Sequence, residues 1–184
     1  MIKPKELKPN STIGIVSPSY WLDEKVLKKT SKYFTDLGYK IILGPSNFLR
    51  CGPFAGTPQD RAKDIHEMFK NPKVDAIICA RGGYGANKVL PLLDYELIKD
   101  NPKIFLGYSD ITAFLLSISQ KTELITFHGP MLSSFKENFI DYNYHHMLQV
   151  LQLKNERKIF SSRTSPFKVL KSGIGRGRIW GGNM

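Results

Sequence analysis

Five short apolar runs rich in Ile and Val recur along the first 130 residues of the chain. They are TIGIVSPS, YKIILGP, VDAIICA, KIFLGYS and ELITFHGP, and stretches with helical spacing separate them. Parallel strands need long crossover connections, usually helices, so this alternation favours a parallel sheet in an α/β fold. The apolar runs also suit strands that are buried on both faces.

Local signals place the first two helices. The first is predicted to start at Asp23 and to end before Gly38, which suits a C-terminal cap. Its apolar face is expected to include Leu22, Val26, Tyr33 and Leu37. The second is predicted to start with Thr57 as its cap and Pro58 at its first position. Its first turn includes Asp60, and its buried stripe is expected to be Ala62, Ile65, Met68 and Phe69.

Three further helices are predicted, and one long connection stands out. The third, ANKVLPLLDYELI, is expected to break at Pro91. The fourth runs from about Asp110 to Gln120, and the fifth is NYHHMLQVLQL. Between the first two helices, SNFLRCGPFAGTP is a Gly/Pro-rich connection longer than most in compact domains. Such loops often cover ligands, so we expect it to border a site.

Composition excludes several classes of protein. Of 184 residues, 41% are hydrophobic and 23% charged, as in ordinary globular domains. No run approaches the roughly 18 apolar residues of a membrane span, and MIKPKELKPN lacks the apolar core of a signal peptide. We therefore expect a cytoplasmic protein that does not bind membranes. Of the two cysteines, Cys79 lies in an apolar run and is expected to be a buried hydrophobe. With no CxxC or His/Cys cluster, we expect neither metal nor cofactor.

The formal net charge of +11 raises the hypothesis of a nucleic-acid-binding module. The excess is concentrated near the end of the chain, because residues from Lys154 to Arg178 include eight Lys/Arg and a single acid, Glu156. A solvated loop, or a second domain separated from its acidic half, explains this pattern as well as RNA does. We therefore favour no nucleic-acid partner.

The stretch FLGYSDITAF allows two interpretations of Ser109. Serine is preferred at helix starts, where its oxygen accepts unpaired backbone N–H groups. A strand followed by a sharp turn, a serine and a helix is also the geometry of a nucleophile elbow. Gly107 supplies the small residue two positions before the serine. Ile111, however, stands where the hydrolase pattern G-x-S-x-G has its second glycine.

A second unusual segment, RGGYG at residues 81–85, also follows a predicted strand. Its three glycines allow positive φ angles and close approach of the backbone to a ligand oxygen. A plain tight turn is the alternative. The spacing fits neither G-x-G-x-x-G nor the phosphate loop, which disfavours a nucleotide site. Both segments are expected at the carboxyl ends of strands, where doubly wound sheets bind ligands.

The segment ARGGYGANKVLPLLDYELIKDNPKIFLGYSDITAF, followed by TFHGPM and GRIWGGN, closely resembles the LD-carboxypeptidase family. These serine peptidases include murein tetrapeptide carboxypeptidases and microcin C immunity peptidases. The resemblance implies a flavodoxin-like parallel sheet with helices on both faces. It also implies Ser109 as the nucleophile and the backbone amides of Gly83 and Asp110 as the oxyanion hole.

The same resemblance implies a Ser-Glu-His triad whose Glu and His come from a C-terminal domain. We expect a nucleophile-bearing domain at residues 1–153, then at 154–184 a linker and the truncated beginning of that second domain. The Glu and His are thus expected to be missing. His128 is the best substitute base, but we favour a partly buried histidine bonded to backbone. The other histidines, His66, His145 and His146, and the acids Glu123 and Asp94 receive no catalytic role.

The resemblance implies release of the terminal D-Ala from a murein tetrapeptide by cleavage of the L-diamino acid–D-Ala bond, during peptidoglycan recycling. A microcin-like conjugate is an alternative substrate, and a homodimer is expected for the full-length family. Two other functions stay open. One is a catalytically dead peptide-binding domain, which the missing Glu and His suggest, and the other is the basic nucleic-acid-binding module.

Overall fold

The structure is a computed structural model that describes residues 1–135, 141–152, 166, 168–177 and 181–182. Five strands form one sheet: β1 (Thr12–Val16), β2 (Lys40–Leu43), β3 (Ala76–Cys79), β4 (Ile104–Gly107) and β5 (Phe127–His128). Within these ranges six α-helices accompany them: α1 (Glu24–Asp36), α2 (Pro58–Lys70), α3 (Ala86–Val89), α4 (Tyr95–Asp100), α5 (Thr112–Thr122) and α6 (Asp141–Leu151).

The sheet is parallel throughout, with the strand order β2-β1-β3-β4-β5. This is the doubly wound, flavodoxin-like order, so the predicted fold class is confirmed. The strand order reverses beside β1, and the carboxyl ends of β1, β3 and β4 are neighbours along one edge. The loops that carry the SPSY, RGGYG and GYSD segments therefore lie side by side.

Two apolar clusters cover the two faces of the sheet. One contains Leu27 and Phe34 of α1 with Met147 of α6. The other contains residues of α2, α3, α4 and α5, including Ile65 and Phe114. Strands β1 to β4 send alternate side chains to the two clusters, as the pleat requires. Helices thus lie on both faces, as expected.

Local capping chemistry sets the helix boundaries largely as predicted. Asp23 caps α1, and Thr57 caps α2 in a reciprocal capping box with Asp60. The third predicted helix breaks near Pro91 into α3, a short 3₁₀ turn and α4, whose N-terminus Asp94 caps. The buried stripe of α2 contains all four predicted residues.

Two expectations differ from the structure, and a third is not tested by it. Leu37 is 44% exposed, because α1 ends at Asp36 and its buried face is centred on Leu27 and Phe34. The last predicted strand is only two residues long, since only Phe127 and His128 pair with β4. The predicted domain boundary between residues 153 and 154 lies outside the described residues.

Candidate active site

Ser109 lies on a sharp turn at the carboxyl end of β4. Its φ is +60°, in the left-handed region that non-glycine residues rarely adopt, which is typical of a strained functional site. A 3₁₀ turn over Ser109–Ile111 leads directly into α5. The turn needs glycine at position 107, because a Cβ there would lie 2.6 Å from Ile111 Cγ2. Ser109 thus has the backbone of a nucleophile elbow.

The capping interpretation of Ser109 is wrong. Tyr108 precedes the 3₁₀ turn and Ile111 precedes α5, and at neither helix start does a capping side chain accept a hydrogen bond from a backbone N–H. In the described part of the chain, no side chain or backbone group is hydrogen-bonded to the Ser109 hydroxyl. Ser109 as a whole residue is half-buried.

The RGGYG loop lies directly opposite Ser109. A Cβ built on Gly82 would be 3.1 Å from Ser109 Cβ, 3.2 Å from its Oγ and 3.4 Å from the Asp110 amide nitrogen. Gly83, the next residue, has φ +138°, and a Cβ there would be 2.4 Å from the Tyr20 ring. Sequence reasoning named Gly83 and Asp110 but missed that Gly82 makes the closest approach. The run of glycines was the available signal.

The Asp110 side chain connects three loops. Its Oδ2 accepts hydrogen bonds from the Ser19 hydroxyl at 2.5 Å and from the Ala86 amide at 3.1 Å. Ser19 follows β1, Ala86 begins α3 after β3, and Asp110 follows β4. Sequence reasoning gave a role only to the Asp110 amide and missed this carboxylate.

A buried arginine lies beneath the same loops. Arg61 of α2 is 1% exposed, and its Nη1 donates to the carbonyl oxygens of Pro18 at 2.9 Å and Gly85 at 3.4 Å. Burial lowers the pKa of the Arg61 guanidinium, and the negative charge of Asp110 opposes that shift. The available signal was its spacing from Ile65 and Met68, which places it on the buried stripe of α2.

Aromatic side chains form one wall of the crevice. Tyr20, after β1, packs edge-to-face on Phe54 with ring centroids 5.6 Å apart. The Arg61 guanidinium lies 5.0 Å from the Phe54 ring centroid, and Arg81 lies 5.7 Å from that of Tyr20. Because Phe54 belongs to the long Gly/Pro-rich connection, that connection borders the site as predicted.

His128 differs from its prediction. It is exposed rather than partly buried, and no hydrogen bond to backbone is found for it within the described residues. The ring lies 6.2 Å from that of Tyr108 and against Gly182, since a Cβ on Gly182 would be 2.8 Å from His128 Nε2. It also lines a mostly apolar cleft of about 720 Å³ along β5 that does not include Ser109.

Other candidate groups lie away from the crevice. His66 is half-buried on α2, where its Nε2 accepts the Asp94 amide at 2.9 Å. Cys79 is fully buried, as predicted, and burial raises the pKa of its thiol. Across the described ranges, no three His, Cys, Asp or Glu side chains are grouped so as to hold a metal ion. No helix among the described residues is long and apolar enough to cross a membrane.

Comparison with known proteins identifies the family. Residues 13–129 match the LD-carboxypeptidase N-terminal domain. The chain belongs to this family. The matched segment of this LD-carboxypeptidase family member spans β1 to β5 and so contains the elbow, the glycine loop and Asp110. The resemblance inferred from the sequence is confirmed.

Individual relatives agree with this assignment. A "Probable murein peptide carboxypeptidase" of Bacillus subtilis (strain 168) is 37% identical over 99% of this chain and 57% of its own length. The "Microcin C7 self-immunity protein MccF" of Escherichia coli is 35% identical over 80% of this chain and 50% of its own. The solved structure of an MccF-like protein from Bacillus anthracis str. Ames matches with a TM-score of 0.78 and 36% identity, over 82% of this chain and 47% of its own. This family member therefore spans about half the length of the relatives it matches.

Proposed function

We propose that this chain carries the nucleophile and the oxyanion hole of a serine carboxypeptidase of the LD-carboxypeptidase type. The observation that carries the proposal is the left-handed backbone of Ser109, at the point where the glycine loop approaches it. A Cβ on Gly82 would lie 3.1–3.4 Å from Ser109 and the Asp110 amide nitrogen. The substrate is a murein tetrapeptide, and the products are D-Ala and a tripeptide. The name of the Bacillus subtilis relative supports a murein peptide as substrate.

The geometry suits acyl transfer at Ser109. The Ser109 Oγ attacks the carbonyl carbon of the bond between the L-configured diamino acid centre and D-Ala. The amides of Gly83 and Asp110 donate to the oxyanion that develops. The C–N bond then breaks, the amine of D-Ala takes a proton and leaves, and water hydrolyses the acyl-enzyme to release the tripeptide.

A base must take the Ser109 proton, because a serine hydroxyl is a weak nucleophile near neutral pH. By family resemblance this base is a histidine oriented by a glutamate, both from the C-terminal domain, whereas the matched segment is the N-terminal domain. We therefore assign nucleophile and oxyanion stabilisation to the residues described above and the proton transfers to that second domain. Loss of a triad base costs on the order of a million-fold in turnover.

The first experiment measures D-Ala release from a murein tetrapeptide by the full-length protein, with its second domain included, together with labelling of that protein by a fluorophosphonate. Ser109→Ala is the test variant, and Ser119→Ala, on α5 away from the strand ends, is the matched control. We expect release and labelling to vanish only in Ser109→Ala. Unchanged release in Ser109→Ala contradicts the assignment. A wild-type full-length protein that neither releases D-Ala nor is labelled at Ser109 overturns it.

A second candidate function is peptide binding without turnover. It is favoured by the absence of any hydrogen bond between the Ser109 hydroxyl and a histidine in the described parts of the chain. Calorimetry with the tetrapeptide separates the two functions. Saturable binding without product supports the binding domain, and absence of binding counts against it.

Substrate identity and cellular context complete the proposal. A microcin-like conjugate is the competing substrate, since one relative is a microcin self-immunity protein. Comparing release rates from the two substrate classes decides between them. We place the reaction in the cytoplasm, in peptidoglycan recycling, and the full-length protein in a homodimer. Cell fractionation tests the cytoplasmic location, and sedimentation tests the homodimer.

A further inference from the structure

The Asp110 carboxylate has no role in the proposed reaction, which uses only the amide of that residue. It is nevertheless bonded to both neighbouring loops, through the Ser19 hydroxyl and the Ala86 amide. The same oxygen, Oδ2, accepts both hydrogen bonds. Bonds to an ionised acceptor are shorter and stronger than neutral ones, so this atom can fix the lateral spacing of three strand ends.

Arg61 holds the same two loops from the buried side. Its acceptors, the carbonyls of Pro18 and Gly85, belong to the residues immediately before Ser19 and Ala86. The Gly85 carbonyl and the Ala86 N–H belong to one peptide group. Arg61 therefore donates a hydrogen bond to the oxygen of this peptide, and the Asp110 carboxylate accepts one from its N–H.

This peptide group ends the glycine loop that faces Ser109. Gly85 has φ +104°, and a Cβ there would be 2.7 Å from Phe54 Cε1, so the loop is tightly packed where it is held. Gly83 lies two residues earlier and Gly82 three. A shift of the Gly85–Ala86 peptide would therefore move the proposed oxyanion donor relative to Ser109.

We propose that the Asp110 carboxylate and the Arg61 guanidinium act as a pair of positioning groups that hold the Gly85–Ala86 peptide and thereby set the distance between the glycine loop and Ser109. The catalytic consequence rests on the proposed function, whereas the structural link does not. A misplacement of about 1 Å in a catalytic site can cost roughly a hundred-fold in rate.

The structural link is tested by amide hydrogen exchange at Ala86 in the wild-type chain and in Asp110→Ala and Asp110→Asn. We expect at least about tenfold faster exchange in Asp110→Ala, because the amide loses a charged acceptor. Asp110→Asn keeps an oxygen acceptor in the same place and should stay within about threefold of wild type. Asp94→Ala, which removes a carboxylate cap from α4, is the matched control and should leave exchange at Ala86 unchanged. Unaltered exchange in Asp110→Ala overturns the proposal.

The catalytic consequence is tested by separating kcat from KM for D-Ala release by the full-length protein, with its second domain included. Asp110→Ala should lower kcat by about a hundred-fold with KM little changed, and Asp110→Asn should restore most of it. A purely structural role predicts instead a lower midpoint of thermal unfolding with unchanged kcat for the folded fraction. If Asp110→Ala does not fold, Ser19→Ala removes one of the two bonds without altering the elbow, and its kcat should fall by a smaller factor. Equal kcat in wild type and in whichever of these variants folds overturns the catalytic part.

The two proposals fail in distinguishable ways. If the wild-type full-length protein releases no D-Ala and Ser109 is not labelled, the proposed function fails, and the exchange experiment still decides whether Asp110 holds the loop. If wild type is active and Asp110→Ala matches it in exchange and kcat, only the positioning role fails.

Discussion

Gly82→Ala is expected to impair the chemistry at Ser109 far more than the stability of the fold. The added methyl carbon would lie 3.2 Å from Ser109 Oγ and 3.4 Å from the Asp110 amide nitrogen. An oxyanion must lie about 2.7–3.1 Å from its donors, so the methyl group crowds the space that the tetrahedral intermediate needs. Loss of one oxyanion donor costs about 10²–10³ in kcat, or about 2.7–4 kcal/mol.

The expected cost in folding free energy is much smaller. The closest contact of the new methyl group is 3.1 Å, with Ser109 Cβ, so its neighbours need to move by only a few tenths of an ångström. Gly82 also does not have the positive φ of Gly83 and Gly85. We therefore expect a loss of about 1 kcal/mol, at the low end for overpacking.

The assay uses the full-length protein and compares D-Ala release and fluorophosphonate labelling with the midpoint of thermal unfolding. Gly129→Ala is the control, because its added Cβ meets only Leu106, at an ordinary 3.4 Å, beside the neighbouring strand end. We expect the control to match wild type in both measurements. If Gly82→Ala reacts within about threefold of wild type, the space between Gly82 and Ser109 is not where the reaction occurs, and the reasoning is refuted.

Three further predictions concern stability. Arg61→Met should lower the unfolding free energy by about 1–3 kcal/mol in urea titrations, because the Pro18 carbonyl loses its donor and the Gly85 carbonyl keeps only the Lys88 amide; wild-type stability would contradict this. Burial lowers the pKa of His66, so the unfolded state binds more protons, and stability should fall as the pH drops below about 6.5. His66→Gln should flatten that pH dependence, and an equal slope would show that another group causes it. Thr57→Ala should cost about 1 kcal/mol in thermal unfolding through loss of the capping box, whereas Thr57→Ser should cost little.

The features that were predicted correctly depend on residues that are close together in the chain. The cap at Thr57, the break near Pro91 and the glycine-rich turn at residues 81–85 follow from local backbone chemistry, and the strand–helix alternation is enough to predict a parallel sheet. The turn at Ser109 was recognisable because a serine followed an apolar run that ends in Gly107 and Tyr108.

What the sequence did not predict depends on distant contacts. Ser19 and Asp110 are 91 positions apart, and Arg61 lies 43 positions from Pro18. Periodicity places Arg61 on a buried face but does not say which carbonyls it meets. The exposure of His128 likewise depends on how β5 packs at the edge of the sheet, so its environment was predicted wrongly.

The separation between Ser19 and Asp110 also has a consequence for the order of folding. The loops that Asp110 joins follow β1, β3 and β4, and parallel pairing of distant strands is slow because long loops must close first. A nascent chain that ends before β4 contains the glycine loop but neither the serine nor the carboxylate. The reactive arrangement can therefore arise only after these three strands have docked. A partly folded chain does not yet contain it.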